Sequence, residues 1–432
     1  MQISSWVNSG DFYYRSKKHI TKWPLYKFAK EVALELIHFF EGILRVILTW
    51  NARNKKVLDG VNLIGFVKGD FGLAEHMRLV THAINTTGEK FCVNNSGKSG
   101  GHSATNNELN KFITKNNPYL VNLFCYNAEQ TIAYFKSCYG GIALNKHYNI
   151  GYGYWELSIY PHHWKEQNKY LNEIWAPSKY IKEVIEKSTN LPVFHMTIPV
   201  DFKNPIGYTR KHFNLPEDRF LYLFTFDMSS FVTRKNPQAV IKAFNQSFPI
   251  EKADKVCLIV KINRLKTDTG HSKKVEELRT QISVDPRIII IDEVLDRPSI
   301  LGLISVCDTY VSLHRSEGFG LGMAEAMKMG KVVIATDYSG NKDFMNQENS
   351  CLVKYKLIKV DKSEFTNVEE GAEWADPDVE HAAYYMRKVY EDKTFSERIG
   401  LAAKAYIQQY HSFKTIGENY EKRLAEIMKA KP

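Results

Sequence analysis

"SLHRSEGFGLGMAEAMKMGKVVIATDYSGNKDF" (residues 312–344) places a glycine-containing loop, a helix-like segment and an apolar run in immediate succession. The loop follows the apolar run "DTYVSL" (308–313). The segment "LGMAEAMKM" ends at Gly330, a typical residue for a helix C-terminus. A strand, a helix and a second strand in this order are typical of a parallel β-α-β unit. Ligands of such units bind beyond the carboxyl ends of the strands.

The same alternation extends in both directions and predicts an α/β protein with two doubly wound, Rossmann-like domains that face each other across a cleft. A polar segment with two prolines (201–220) separates the two series of strands and predicts a linker. We expect a helical extension at 1–56, an N-terminal domain at 57–203 and a C-terminal domain at 204–395, with the helices of 396–432 packing back on the N-terminal domain. The predicted strands are 61–67, 119–126, 148–155, 173–177 and 192–200 in the first series and 220–226, 255–262, 287–292, 308–313 and 331–336 in the second.

Composition limits the partners and the compartment. The 432 residues carry a formal net charge of +10, which favours an anionic partner such as a nucleotide phosphate or an anionic membrane, with a solvated basic surface as the alternative. The six cysteines include no CxxC pair, so we expect buried free thiols in a reducing compartment. The first 30 residues are polar and basic, unlike a secretory signal, and the longest apolar stretch (36–50) contains Glu41 and Arg45, unlike a membrane span.

The predicted extension at 1–56 has two interpretations. Apolar residues between 36 and 48 repeat at helical spacing, and five lysines precede them at positions 17, 18, 22, 27 and 30. Such a helix could lie on an anionic membrane surface through residues 17–50, or it could pack on the N-terminal domain. Sequence alone leaves both open.

The opening stretch has the chemistry of a nucleotide site. Glu317 follows a strand, and Glu325, separated from it by seven residues, lies in the second turn of the predicted helix. Gly318 and Gly320 permit close backbone approach, and the helix N-terminus offers free N–H groups to a phosphate. A carboxylate such as that of Glu325 can accept hydrogen bonds from a ribose diol. A nucleoside diphosphate that carries a sugar would satisfy all three features.

The sequence "SEGFGLGMAEAMKMGKVVIAT" closely resembles the Glu-x7-Glu motif of family 4 retaining glycosyltransferases, which have the GT-B fold. The similarity covers roughly residues 58–425. Further matching segments are "GYGYWELSIYPHHW" (151–164), "EIWAPSKYIKEVI" (173–185), "RKNPQAVIKAF" (234–244) and "WADPDVEHAAYYMRKVYED" (374–392).

The resemblance implies roles for individual residues. Glu317 would contact the transferred sugar, Glu325 would hold the ribose hydroxyls, and Lys235 would neutralise the diphosphate. Many family members carry an arginine where this chain has Asp227, and Arg234 is a candidate substitute. Backbone amides near the sugar and phosphates would come from Gly318, Phe319, Gly320 and Leu321.

Three further candidates carry weaker signals. Gly72 lies in "GDFGLAEHMR" (69–78), which resembles the family's glycine loop although Ala74 replaces its last glycine. Glu156 falls where the family's acceptor cleft opens, and it could bind acceptor hydroxyls or cap a nearby element. Lys261, at the end of a strand, is a weaker donor-phosphate candidate.

The expected activity is transfer of a hexose-type sugar to a hydroxyl of a glycan or lipid-linked acceptor, with retention, without a metal site and without a cofactor. We expect a cytoplasmic enzyme of cell-surface polysaccharide synthesis, peripheral at the inner face of the cell membrane. The alternatives are a non-catalytic, membrane-associated protein that keeps the fold, a nucleic-acid-binding protein supported only by charge, and a sugar-phosphate phosphorylase or epimerase. No nucleic-acid-binding signature occurs in the sequence, so we expect no such partner.

Overall fold

The computed structural model of the protein describes residues 57–96, 106–137, 146–250, 255–263 and 285–430, together with positions 144 and 280. The predicted extension at 1–56 lies outside these residues, as does most of a helix predicted for "KKVEELRTQI" (273–282). By internal contacts the chain divides into a unit of Met1–Lys56 with Phe135–Lys146 and a larger unit of Val57–Tyr134 with His147–Pro432. Both sheets described below belong to the larger unit.

Six parallel strands form the N-terminal sheet, in the order β2-β1-β3-β4-β5-β6. Strand β1 pairs on both sides, since Val61 lies opposite Phe91 of β2 and Val121 of β3. The strands are β1 (Leu58–Gly65), β2 (Phe91–Asn95), β3 (Tyr119–Phe124), β4 (Tyr148–Tyr152), β5 (Glu173–Ala176) and β6 (Val193–His195), and the helices are α1 (Gly72–Asn85), α2 (Ala128–Ser137) and α3 (Lys179–Glu186).

Six further parallel strands form the C-terminal sheet, in the order β12-β11-β10-β7-β8-β9. Apart from the edge strand β9, where Ile290 is exposed, these strands are almost continuously buried, as strands covered by helices on both faces must be. They are β7 (Phe220–Asp227), β8 (Val256–Asn263), β9 (Ile288–Asp292), β10 (Thr309–Ser312), β11 (Val332–Thr336) and β12 (Cys351–Val353), and the associated helices are α4 (Val232–Lys235), α5 (Pro237–Ser247), α6 (Arg297–Val306) and α7 (Leu321–Lys328). The predicted fold class, two Rossmann-like parallel α/β sheets, is confirmed.

An antiparallel hairpin follows the C-terminal sheet. Its strands are β13 (Tyr355–Lys359) and β14 (Glu373–Pro377), with Leu357 opposite Ala375. The segment 374–392 resembles the C-terminal helix region of the family, but its first four residues belong to the strand β14. Trp374 is fully buried in the strand, and the helix begins only after Asp378, whose side chain accepts a hydrogen bond from the His381 backbone N–H.

Three helices complete the described chain: α8 (Val379–Glu391), α9 (Lys393–Tyr410) and α10 (Phe413–Lys429). The first two pack on the C-terminal sheet, where Met386 and Ile407 are buried. By contrast, α10 buries Ile416, Tyr420 and Leu424 in the core of the N-terminal sheet. The predicted domain boundaries stay predictions.

Two local expectations, on the length of one strand and on the burial of the cysteines, are resolved by the structure. The strand predicted at 192–200 is only three residues long, because β6 is the edge strand and the chain leaves the sheet after His195. Among the described residues, no helix combines the length and apolarity needed to cross a bilayer. The free cysteines in this part of the chain are all buried, as expected: Cys92, Cys125, Cys257, Cys307 and Cys351.

Candidate active site

The loop after β10 places Glu317 beside two cations. Arg234 Nη1 lies 3.2 Å from Glu317 Oε2, and Lys235 donates a hydrogen bond to Glu317 Oε1. The loop is held against α4 by backbone and side-chain bonds, since the Arg315 N–H donates to the Arg234 carbonyl at 2.8 Å and Asn236 Nδ2 donates to the Leu313 carbonyl at 3.1 Å. Residues about 80 positions apart in the chain therefore form one cluster.

Charge decides the ionisation of Glu317. Burial by itself would raise the pKa of this carboxyl group, but the charges of Lys235 and Arg234 outweigh burial and lower the pKa to about 2. Burial lowers the pKa of Lys235, and the Glu317 carboxylate opposes that effect. At neutral pH the Glu317 carboxylate is therefore ionised, and it lies in direct contact with the Lys235 amine.

Lys235 lines the cavity of the candidate site, whereas Arg234 is buried behind it. The Lys235 side chain lines a cavity of about 320 Å³ together with Glu317. Arg234 is 5% exposed, and its guanidinium donates to the Ser316 carbonyl at 2.9 Å and to the Ser230 carbonyl at 3.3 Å. Arg234 is therefore positioned to hold the loop that carries Glu317. Its expected phosphate contact stays a prediction.

Glu325 lies on α7 and points into the same cavity. Its side chain is 4% exposed, and Arg297 Nη1 lies 2.6 Å from its Oε1. Burial raises the pKa of Glu325, whereas the Arg297 charge lowers it. Sequence reasoning missed Arg297, which is a lone arginine at the start of α6 with no motif around it.

The residues between the two glutamates divide into backbone and core roles. Gly320 has φ +98°, a conformation that favours glycine, and it is the N-cap residue of α7. Gly320 and the first helical residue, Leu321, both line the cavity. The Gly318 carbonyl accepts a hydrogen bond from Ser178 Oγ at 2.7 Å. The Phe319 side chain is 5% exposed and packs on Phe344, so any ligand contact from it would come from its backbone.

A second helix N-terminus faces the cavity from the N-terminal sheet. Gly72 begins α1, and a Cβ atom at this position would meet no heavy atom within 4 Å. The free N–H groups at the start of α1 and of α7 therefore lie at the same cavity, where they favour negative charge. The residues that line the cavity include Gly72, Glu75, Lys235, Lys261, Arg297, Glu317, Gly320, Leu321 and Glu325.

Lys261 and Asp227 lie at the carboxyl ends of neighbouring strands β8 and β7. Lys261 donates a hydrogen bond to Asn263 Oδ1, and Asn263 Nδ2 donates to Asp227 Oδ2 at 3.1 Å. Burial lowers the pKa of Lys261 to about 8, while the Asp227 charge acts in the opposite direction. This amine lines the cavity, which agrees with a donor-phosphate role but does not test it.

Glu156 lies in the loop after β4, next to the Glu317 cluster. Its Oε1 is 3.8 Å from Arg234 Nη2, and its carbonyl accepts hydrogen bonds from Ser316 Oγ and, at 3.1 Å, from Tyr180 Oη. The structure therefore brings the expected acceptor residue to the predicted catalytic residues. The backbone contacts also give Glu156 a structural role.

A second loop, after β11, holds Glu317 from behind. The Glu317 N–H donates to Ser339 Oγ at 2.8 Å, and the Gly340 N–H donates to the Glu317 carbonyl at 2.9 Å. Sequence reasoning did not single out this loop, although the glycine in "YSGN" is a recognisable signal. Within the part of the chain that the structure describes, no group of three or more His, Cys, Asp or Glu side chains is arranged to hold a metal ion.

Comparison with known proteins supports the fold on two grounds. Residues 209–406 match the family model "Glycosyl transferases group 1", a range that includes the whole C-terminal sheet and helix α8 and ends within α9. None of the curated proteins searched matches the chain by sequence.

Several solved structures are similar to the protein. HepE of Anabaena, solved with UDP and glucose, aligns with a TM-score of 0.62 at 14% identity over 86% of this chain and 100% of that chain. Sucrose-phosphate synthase of Thermosynechococcus elongatus aligns with a TM-score of 0.60 at 14% identity, over 86% and 100%. The lipopolysaccharide outer core galactosyltransferase WaaB in its apo form gives 0.54 at 12% identity, over 85% and 99%. The protein thus has the GT-B fold of these glycosyltransferases, and its residues 209–406 match the group 1 glycosyl transferase family.

Proposed function

We propose that the protein is a retaining glycosyltransferase that moves a hexose-type sugar from a nucleoside diphosphate sugar to a hydroxyl group. The observation that carries the proposal is the content of one cavity: the ionised Glu317 with Lys235, the buried Glu325, and two helix N-termini. Each feature matches one part of the donor, namely the sugar, the diphosphate and the ribose. The presence of UDP and glucose in the similar HepE structure supports this choice of donor class.

The diphosphate would lie between the start of α1 and the start of α7, with Lys235 beside it. The two helix N-termini and the amine together offset the negative charge that develops on the leaving phosphate. Glu317 is already paired with two cations, so its proposed role is to orient the sugar and to stabilise developing positive charge on it. Glu325 Oε2 would accept hydrogen bonds from the ribose hydroxyls.

The proposed transfer takes place on one face of the sugar. The bond between the anomeric carbon and the phosphate oxygen breaks, and a bond to the acceptor oxygen forms on the same side. The proton of the acceptor hydroxyl goes to the departing phosphate, which leaves as the nucleoside diphosphate. This scheme needs no resident metal and no cofactor, and unchanged turnover in excess chelator would support it.

The acceptor is proposed to be a glycan or a lipid-linked sugar used in cell-surface polysaccharide synthesis at the inner face of the cell membrane. Glu156 would bind its hydroxyls, and the basic residues within 17–50 would favour an anionic membrane. Sedimentation with anionic vesicles tests the membrane part. Deletion of residues 1–56 should abolish co-sedimentation, and undiminished co-sedimentation would exclude this role.

Two substitutions test the division of roles at the site. Glu325→Ala should raise the Kd for the nucleoside diphosphate by at least about tenfold, because it removes the ribose acceptor. Glu317→Ala should lower kcat for donor turnover much more than it weakens nucleotide binding, since its contact is with the sugar. Glu391→Ala, an exposed site on α8, is the matched control. Equal losses of binding and turnover in both site variants would refute the assignment.

A further inference from the structure

Four charged side chains form a continuous series of ion pairs across the candidate cavity. Arg78 Nη2 lies 2.7 Å from Glu75 Oε2, and both residues belong to α1 on the N-terminal sheet. Arg297 Nε lies 3.0 Å from Glu75 Oε1, and Arg297 Nη1 lies 2.6 Å from Glu325 Oε1. Arg297 thus contacts one carboxylate from each side of the cavity.

Both ends of this series are buried in the protein. Arg78 Nη1 donates to the carbonyls of Val67 and Gly69, at 2.8 Å in each case, and its side chain is 6% exposed. At the other end, the Glu325 side chain is 4% exposed. Ion pairs that are this well buried are sensitive to the loss of one partner, because the remaining charge is left uncompensated.

The contact with Glu75 has a consequence for the phosphate region. Glu75 lies in the first turn of α1, three residues after Gly72. The ion pair between Arg297 and Glu75 therefore also holds the N-terminal end of α1, which faces the cavity. The contact with Glu325 has a different consequence. It holds one carboxylate oxygen and leaves the other for hydroxyl groups, since a carboxylate can accept about four hydrogen bonds over its two oxygens.

We propose that Arg297 is a positioning residue for the donor, which makes donor affinity depend on the ion-pair bridge that Arg297, on α6, forms between Glu75 of α1 and Glu325 of α7. It holds Glu325 in the orientation that the ribose needs and keeps the start of α1 at the diphosphate. The inference rests on the proposed function and adds to it a residue that no sequence motif marks. Glu75 acts in the same unit, since it reaches Glu325 only through Arg297.

A double-mutant cycle on the full-length protein tests the proposal. Arg297→Gln should raise the donor KM about tenfold with kcat within about threefold of wild type, a size typical of coupling between sites. Glu75→Gln should raise the KM in the same direction, and the double variant should be no worse than Arg297→Gln alone. Arg297→Lys should recover part of the loss, because lysine keeps the charge but lacks the fork that contacts two carboxylates.

The control is Lys328→Gln. Lys328 lies on α7, as Glu325 does, but outside the cavity lining, and its substitution breaks an ion pair of 2.6 Å with Asp201. It should leave the donor KM unchanged. A wild-type KM in Glu75→Gln, or effects that multiply in the double variant, would overturn the proposal, and Glu75→Gln decides this even if Arg297→Gln does not fold. Failure of the wild-type protein to bind any nucleoside diphosphate would instead overturn the proposed function together with the inference.

Discussion

At the residue scale, Glu317 shows that its neighbours, and not its burial, set its chemistry. A carboxyl group with 12% side-chain exposure would ordinarily resist ionisation, yet two adjacent cations hold the Glu317 pKa at about 2. The carboxylate and the phosphate of a donor would then share Lys235. This arrangement suits a group that stabilises charge during the reaction better than one that forms a covalent bond.

The lowered pKa of Glu317 predicts a pH-dependent contribution to stability. The folded-state pKa of about 2 lies below the unfolded value of 4.5, so the stabilisation is fully present above about pH 5 and is lost as the pH falls from 4.5 towards 2. Chemical unfolding of wild type and Glu317→Gln between pH 7 and 3 measures it. The difference in free energy of unfolding should amount to about 3 kcal/mol at neutral pH and should narrow below pH 4.5. A difference that is constant over the whole range would contradict the assignment.

Individual site residues were predictable to different degrees. Glu317, Glu325 and Lys235 stand in short motifs, so the sequence marks them. Arg297 acts through partners on two other helices, and Ser339 acts through one backbone bond, so their partners are fixed only by the fold. The bond from the Arg234 guanidinium to the Ser316 carbonyl was likewise visible only in the fold, and the predicted phosphate contact of Arg234 stays a prediction.

At the element scale, the loop that carries Glu317 depends on close backbone packing with the loop after β11. A Cβ atom on Gly340 would lie 2.1 Å from the Gly318 carbonyl oxygen and 2.8 Å from the Phe319 Cα. Both neighbours are backbone atoms, so they cannot rotate away as a flexible side chain could. The spacing of these two loops is therefore part of the site geometry.

This contact predicts the effect of one methyl group. Gly340→Ala should lower the free energy of unfolding by about 1–3 kcal/mol and should lower kcat, because the Gly318–Phe319 backbone must move. Gly72→Ala is the matched control for stability, since a Cβ there meets nothing within 4 Å. Thermal and denaturant unfolding of the two variants measures the contrast. Equal stability in both would show that the loops do not pack as described.

Elements with a strong apolar run or a helical period were predicted well, whereas the antiparallel hairpin, which has only a weak apolar pattern, was not predicted. The ten strands expected from apolar runs all exist in the sheets, with ends that differ by a few residues. The hairpin β13–β14 was missed because its first strand, "YKLIK", is mostly exposed and its pairing is antiparallel. Its second strand, β14, ends directly before α8, so the sequence shows no clear boundary between the strand and the helix.

At the scale of the whole molecule, the C-terminal helix belongs to the core of the N-terminal sheet. The Tyr420 side chain is fully buried, and its hydroxyl donates to the Thr197 carbonyl at 2.7 Å. Gly417 lies so close to α1 that a Cβ atom would be 2.5 Å from the Ala83 carbonyl oxygen. The last helix of the chain therefore completes a core that begins with β1.

This packing predicts a stability effect far from the site. Tyr420→Phe should lower the free energy of unfolding by about 1–2 kcal/mol, because it leaves the partly buried Thr197 carbonyl without this donor. Tyr410→Phe, at a tyrosine that is 47% exposed, should have no measurable effect. Denaturant unfolding compares the two. Equal stability of Tyr420→Phe and wild type would mean that α10 does not pack on this core.

The most direct test of the account is thermal unfolding of the protein with a panel of nucleoside mono- and diphosphates and their sugar conjugates, in excess chelator. A ligand at one hundred times its Kd adds about 2.7 kcal/mol to stability, which is a readily measured shift in Tm. The account predicts stabilisation by the nucleoside diphosphates of one base and by their sugar conjugates, lost in Glu325→Ala and kept in Glu391→Ala. Absence of any shift, or a shift that Glu325→Ala leaves unchanged, would contradict the proposal that this cavity binds a nucleoside diphosphate sugar.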